Sequence, residues 1–256
     1  MTEGTNQGAV LTERRGRVLV ITLNRPEAMN AINGALSAGM MAAIDELDDD
    51  PELTAGVLTG AGRGFCSGMD LKAFAAGEDI GPFGKFVRNG SKKPLIGAVE
   101  GFAIAGGLEA ALTCDLLVAG KSAKFAIREV KVGLFAAGGG LFRLPGRVGY
   151  AKAMEMALTG DSVTADAALG AALISEVTDD GDALDAAVAL AERIAQNAPL
   201  AVAASKQLIR AASQGIEESA LWKMQEPLMA TVFTSNDARE GPRAFAEKRA
   251  PDWTGT

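Results

Sequence analysis

The chain has 256 residues, of which 48% are hydrophobic, 22% charged and 5% aromatic, a composition that suits a globular fold with a large core. It contains no histidine, which excludes a Ser-His-Asp triad, a Cys-His pair or a His-ligated zinc site within it. Its 25 basic and 32 acidic residues give a net charge of −7, and without a basic stripe this argues against nucleic-acid binding, though not against a phosphorylated ligand held by a few local bases.

In chain order, residues 10–14 and 17–23 read as two short strands around Gly16, the second apolar, β-branched and stopped by Asn24-Arg25-Pro26. Leu36, Met40, Ile44 and Leu47 recur at helical spacing within residues 34–50. Residues 55–59 form a buried strand that runs into a glycine-rich loop, 60–68. The stretch 72–93 is irregular, with Gly77, Gly81, Gly84 and Gly90. Residues 95–100 are another apolar strand. It feeds a second glycine loop, 101–107, and then a helix over about 108–113. Residues 116–119 and 124–126 are short strands, 151–159 and 164–172 helices, and 173–177 a last strand. Strand, glycine loop, helix thus occurs twice, the signature of an α/β unit used repeatedly. Four helices follow over 183–197, 199–213, 217–233 and 237–248. Pro199 suits a helix start, and Pro227 predicts a kink or restart in the third. The expectation is an α/β core over 1–195 and a helical region over 196–256.

Cys66 and Cys114 lack metal-knuckle spacing and fit a reducing compartment, so a cytoplasmic location with free thiols is expected. The first ten residues have no basic segment followed by an apolar one, so no leader is read there. The long apolar stretch 95–113 carries Glu100 and Glu109 and reads as core, not as a membrane span.

Three segments could carry chemistry. In Phe65-Cys66-Ser67-Gly68-Met69-Asp70-Leu71-Lys72, a glycine ahead of a helix start leaves backbone N–H groups free for a ligand oxygen; alone, it reads as an ordinary turn. In residues 101–112 paired glycines open a helix with Glu109 in its first turn, flanked by apolar residues. That carboxylate either reaches water or lines an apolar pocket with a tunable pKa. Glu129 follows a short strand and precedes the cluster Gly138-Gly139-Gly140; alone, it reads as a surface residue paired with Arg128 or Lys131.

Together these segments resemble the crotonase, or enoyl-CoA hydratase, superfamily. Leu23-Asn24-Arg25-Pro26-Glu27-Ala28-Met29-Asn30-Ala31 is similar to the family's NRPxxxNA signature, FCSGMDL to its FxxGxD[LI] loop, and AVEGFAIAGGLEAALTCD to its AVxGxxxGGGxELxxxCD run. Phe233 to Asp237 and Phe245 to Arg249 are similar to its C-terminal pattern, so the resemblance spans nearly the whole chain. It implies an α/β fold, a crotonase-like ββα spiral with a C-terminal helical trimerisation region, assembled as a homotrimer or homohexamer. It implies an acyl-CoA thioester substrate, with no metal and no cofactor beyond the coenzyme A of the substrate, and no nucleic-acid or membrane partner.

By motif position, the backbone N–H groups of Met69 and Gly106 would polarise the thioester carbonyl. Glu109 would activate water and Glu129 donate a proton, for reversible hydration of a trans-2-enoyl-CoA to a 3-hydroxyacyl-CoA. The resemblance places the CoA moiety against Glu27, Ala28 and Met29 on one side and Asp70, Leu71 and Lys72 on the other, with Phe245 and Lys248 completing the site. A double-bond isomerase, a specialised acyl-CoA dehydratase and a non-catalytic CoA-binding protein are the alternatives. The chain departs from the family at Ala136-Ala137, where PGAGG is usual, at Ala105 in place of a glycine, and at Met69 in place of Ala or Gly.

Overall fold

The structure is a computed structural model that describes residues 8–256, so most of the segment read as lacking a leader, residues 1–7, lies outside the described residues. β1 (Val10–Arg15) and β2 (Val18–Leu23) form an antiparallel hairpin, with Gly16 at a positive φ of 58° in the tight turn. α1 (Gly34–Asp49) follows, its N-terminus capped by the Asn33 side chain, which accepts from Leu36 N at 3.0 Å. β3 (Ala55–Gly60) then pairs parallel to β2. α2 (Leu71–Ala75) and α3 (Gly81–Asn89) lead to β4 (Leu95–Val99). After it come β5 (Phe102–Ile104), α4 (Gly106–Thr113), β6 (Leu116–Gly120) and β7 (Lys124–Ala126). α5 (Gly140–Val148), α6 (Tyr150–Thr159), β8 (Val163–Thr164), α7 (Ala165–Gly170), β9 (Glu176–Thr178) and α8 (Ala183–Ala195) complete the body.

Six strands form one sheet in the order β1-β2-β3-β4-β6-β9, parallel except at the β1–β2 edge. A smaller three-stranded sheet, β5-β7-β8, stands apart from it. Strand alternation divides the core between the two faces of the large sheet. Leu19, Ile21 and Leu23 of β2, Val99 of β4 and Leu117 of β6 face a cluster completed by Leu36, Met40, Ile44 and Leu47 of α1 and by residues of α3 and α4. Val18, Val20, Val57, Ile96, Ala98 and Val118 point the other way, onto Ala183, Ala187 and Ala191 of α8. The small residues of α8 let it lie close against the strands.

The irregular stretch 72–93 contains two helices. α3 has Pro in its first turn and buries Phe83, Phe86 and Val87 at helical spacing, a pattern that the surrounding glycines obscure. The expected strand over 173–177 is shorter and later, Glu176–Thr178, because Leu173 and Ile174 are core residues reached from α7 through Ala172 at a positive φ. Part of the expected loop 101–107 is strand β5, recruited by pairing with β7. The helical region comprises α9 (Pro199–Ser213), α10 (Glu218–Thr234) and α11 (Asn236–Glu247). Pro227 lies inside a continuous α10 rather than dividing it. Among the described residues, no helix is long and apolar enough to cross a membrane.

Candidate active site

The central strands β3 and β4 both release the chain into glycine-rich loops, and those loops are stitched together. Ile104 N donates to Cys66 O at 3.0 Å, and Phe65 N to Phe102 O at 3.0 Å. The buried Asn30 side chain donates to Ala61 O and Gly64 O, both at 2.9 Å, and accepts from Arg25 N at 2.8 Å. The Arg25 guanidinium meets Asp70 at 3.2 Å, which joins the start of α2 to the segment after β2.

This framework brings Met69 and Gly106 together. A Cβ built on Gly106 would lie 3.6 Å from Met69 N. Gly106 opens α4, where first-turn N–H groups have no intrahelical acceptor. Among the described residues, neither N–H is used in a loop, turn or cap hydrogen bond of the backbone. Both residues line the same cavity, so two unused backbone donors lie side by side there, an arrangement suited to an oxyanion.

Glu109 lies one turn further along α4 and is only 4% exposed, so the water-reaching alternative is removed. Its Oε1 accepts from Gly140 N at 3.0 Å. A Cβ on Gly138 would sit 2.6 Å from its Oε2, so a side chain there would collide with the carboxylate. Burial pushes the Glu109 pKa upward and the charge of Glu129 adds to the rise, while the Gly140 and Gly138 N–H groups and Arg143 oppose it.

Glu129 opens a short 3-10 turn, Glu129–Val132, after β7. It pairs with neither neighbour: Arg128 donates to Ser162 Oγ and Lys131 to Asp161. Its Oε2 is buried and has no hydrogen-bond partner. Burial pushes this pKa up as well, opposed by nearby backbone N–H groups. Glu109, Glu129, Met69 and Gly106 all line one cavity of about 1740 Å³.

Of the residues expected around CoA, Leu71 lines that cavity. Glu27 and Ala28 form a 3-10 turn with Pro26, and Met29 O accepts from Ser67 N at 3.1 Å, which places all three beside the first glycine loop. Asp70 uses its carboxylate structurally: Oδ1 caps α2 by accepting from Lys72 N and Ala73 N, and Oδ2 holds Arg25. The Ala73 N–H and the Arg25 guanidinium keep its pKa below the usual carboxylate value. Lys72 is exposed and, among the described residues, has no carboxylate partner. Phe245, 88% exposed, and Lys248, which ends α11 in a left-handed conformation, lie away from the cavity lining. Sequence reading passed over Arg143, whose only signal was its place just after the glycine cluster.

Cys66 and Cys114 are free and buried, and burial pushes each thiol up to about 12, which leaves neither as a ready nucleophile. Among the described residues, no group of three or more His, Cys, Asp or Glu side chains is placed to hold a metal ion.

The family model described as enoyl-CoA hydratase/isomerase matches residues 13–256. The chain belongs to the enoyl-CoA hydratase/isomerase family. It is 43% identical to enoyl-CoA hydratase EchA19 of Mycobacterium tuberculosis, with 95% of each chain covered. It is 41% identical to carnitinyl-CoA dehydratase of Salmonella typhi, over 94% of this chain and 97% of that one. A crystal structure of enoyl-CoA hydratase from Mycobacterium tuberculosis H37Rv superposes with a TM-score of 0.93 at 51% identity, covering 98% of this chain and 100% of that one. The fold is accordingly the crotonase-like α/β fold of this family, with a helical C-terminal region.

Proposed function

We propose that the chain hydrates trans-2-enoyl-CoA thioesters reversibly to 3-hydroxyacyl-CoA, with Glu109 and Glu129 as the acid–base pair and the Met69 and Gly106 N–H groups as the oxyanion hole. The observation that carries this reading is the presence of one buried and one half-buried carboxylate, both with raised pKa, in one cavity with two neighbouring unused backbone N–H donors. An isomerase needs only one base to shuttle a proton; a second carboxylate in the cavity favours addition of water.

The two environments divide the labour. Glu109 has N–H donors and Arg143 to stabilise its charge, so it is the carboxylate that accepts a proton from water. Glu129 has a buried oxygen with no partner, which favours its protonated form and suits it to deliver a proton. Water oxygen then bonds to C3 as the proton from Glu129 reaches C2. Negative charge on the thioester oxygen is held by the two backbone N–H groups. The leftover proton sits on Glu109 and must return to Glu129 before the next turnover. Run backwards, the same steps eliminate water, so dehydration of a 3-hydroxyacyl-CoA uses the same residues.

The reading requires no metal and no cofactor beyond the CoA of the substrate. Glu27, Ala28 and Met29 would meet CoA through their backbone, Leu71 through its side chain and Lys72 through a phosphate. Phe245 and Lys248, which are not among the residues lining this cavity, would complete a CoA site only across a subunit boundary. A homotrimer or homohexamer fits the outer helices: α10 buries no residue, and Ile209, Trp222, Phe233 and Phe245 are exposed. Light scattering should find three or six chains. Glu109→Gln and Glu129→Gln should each lower hydration by about 10²–10⁴-fold with little change in CoA-thioester affinity. Near-wild-type hydration by Glu129→Gln would remove the two-carboxylate mechanism, and faster consumption of a 3-enoyl-CoA than hydration of the 2-enoyl compound would favour the isomerase.

A further inference from the structure

The cavity extends beyond the two glutamates. Its remaining wall is built from the end of α3, from α5 and from α9, and carries Arg88, Arg143, Arg147, Lys206 and Arg210. In a chain of net charge −7, such a gathering of cations runs against the overall balance. Among the described residues Lys206 alone of them forms a salt bridge, with Asp115 at 2.7 Å, while Arg143 also feels the charge of Glu109 and Arg147 that of Asp115. Among the described residues, none of the four arginines forms a salt bridge.

Three of the arginines give their hydrogen bonds to neutral carbonyls. Arg143 donates to Gly138 O at 3.2 Å and to Val87 O, Arg147 to Cys114 O at 2.7 Å, and Arg210 to Arg88 O at 3.2 Å. Each guanidinium has five N–H groups, so donors remain for a ligand. Burial, then repulsion from Arg210, holds the Arg143 pKa below the usual arginine value, as expected of like charges drawn together. Phe83, Val87 and Leu112 line the same cavity and offer an apolar surface to an acyl chain.

An alkyl end laid against these arginines would strip water from the guanidinium groups and return nothing. A cationic end would be repelled. A carboxylate would meet planar, fork-shaped donors that match its geometry. We infer that this basic wall is a subsite for a carboxylate at the far end of the acyl chain, so that the preferred substrates are CoA monothioesters of unsaturated dicarboxylic acids. This inference rests on the hydratase reading for the reaction, but the subsite can be tested by binding alone.

The probes are saturated acyl-CoA thioesters of four to eight carbons, in pairs of equal length, one ending in methyl and one in carboxylate, with free CoA as control. Calorimetry on the whole protein should show the carboxylate member binding about tenfold more tightly at the best length. Arg210→Gln should cut that preference to about threefold or less, and Arg210→Lys, which keeps the charge, should retain part of it. Equal or tighter binding of the methyl member at every length would overturn the inference. So would a preference that survives Arg210→Gln undiminished, or a loss of free-CoA affinity in Arg210→Gln as large as the loss for the carboxylate probe, which would make the wall a nucleotide-phosphate site. Because these probes are not hydrated, the result stands apart from the hydratase reading; that reading fails instead if no 2-enoyl-CoA, methyl- or carboxylate-ended, gains water.

Discussion

Glu109 and Glu129 share a cavity but are held in opposite ways. Glu109 rides on a fully buried helix, and its carboxylate is received by Gly140 N–H at 3.0 Å with Arg143 nearby. Glu129 sits on a single 3-10 turn, with one carboxylate oxygen buried and unpartnered. The first environment tolerates an ionised group, whereas the second favours a neutral one. Both carboxyls are pushed above their ordinary value, and in the proposed mechanism the difference in their partners is how one residue type would supply both an acid and a base.

The largest test of this contrast is the double variant Glu109→Gln/Glu129→Gln. If the two act on one water, the double variant should lose little more activity than the worse single variant, where independent action would multiply two losses of about 10²–10⁴. Steady-state rates on a 2-enoyl-CoA decide between these outcomes, and a multiplied loss would mean that the carboxylates serve separate steps.

Next in size is Gly138→Ala. The added methyl would come within 2.6 Å of Glu109 Oε2, so either the carboxylate or the loop must move. A misplacement of this order can cost about 100-fold in rate. Ala137→Gly, one residue earlier, should leave the rate within a few-fold of wild type. Equal effects of the two changes would mean that the carboxylate is not held by this loop.

A smaller effect tests the setting of Glu129 through stability. A carboxyl whose folded pKa is raised favours the folded state below its ordinary value of 4.5, and that contribution is lost as pH rises through the raised value. Glu129→Gln removes the titrating group. The melting temperature of the variant minus that of wild type should therefore be smallest below about pH 4.5 and grow as pH rises, by a few degrees at about 2–4 °C per kcal/mol for a chain of this size. A difference that stays flat with pH would show that Glu129 is not held against its charge.

The parts of this arrangement that were legible in sequence are those with a local cause. The alternation in β2, the apolar spacing of Leu36, Met40, Ile44 and Leu47, the glycine before Met69 and the pair Gly106-Gly107 are each written within a few neighbouring residues. β5 was missed because three residues become a strand only when β7 pairs with them. The helix α5 was hidden by Gly140, Pro145 and Gly146, which weaken any propensity reading. Arg143 escaped because its proximity to Glu109 is set by tertiary packing of α5 on α4. For the same reason, an isolated reading of Glu129 pairs it with Arg128 or Lys131, whereas the fold turns those two toward Ser162 and Asp161.

The smallest prediction concerns the residue just ahead of Gly106. Ala105 has φ 53° and ψ −126°, a conformation that suits glycine and strains a residue with a Cβ. Its methyl faces the first glycine loop: a Cβ on Gly68 would lie 2.9 Å from the Cβ of Ala105. Ala105 therefore bears strain at the place where the two N–H donors are set against each other. Such strain costs about 1–3 kcal/mol, while glycine gives back about 0.4–1 kcal/mol through the entropy of the unfolded chain. Ala105→Gly should on balance stabilise the protein by about 1 kcal/mol, a rise of about 2–4 °C in melting temperature. If the methyl also spaces the two donors, kcat should fall a few-fold while KM changes little. A lower melting temperature would show that packing of the methyl outweighs the backbone strain, and an unchanged kcat would show that the donors keep their places without it.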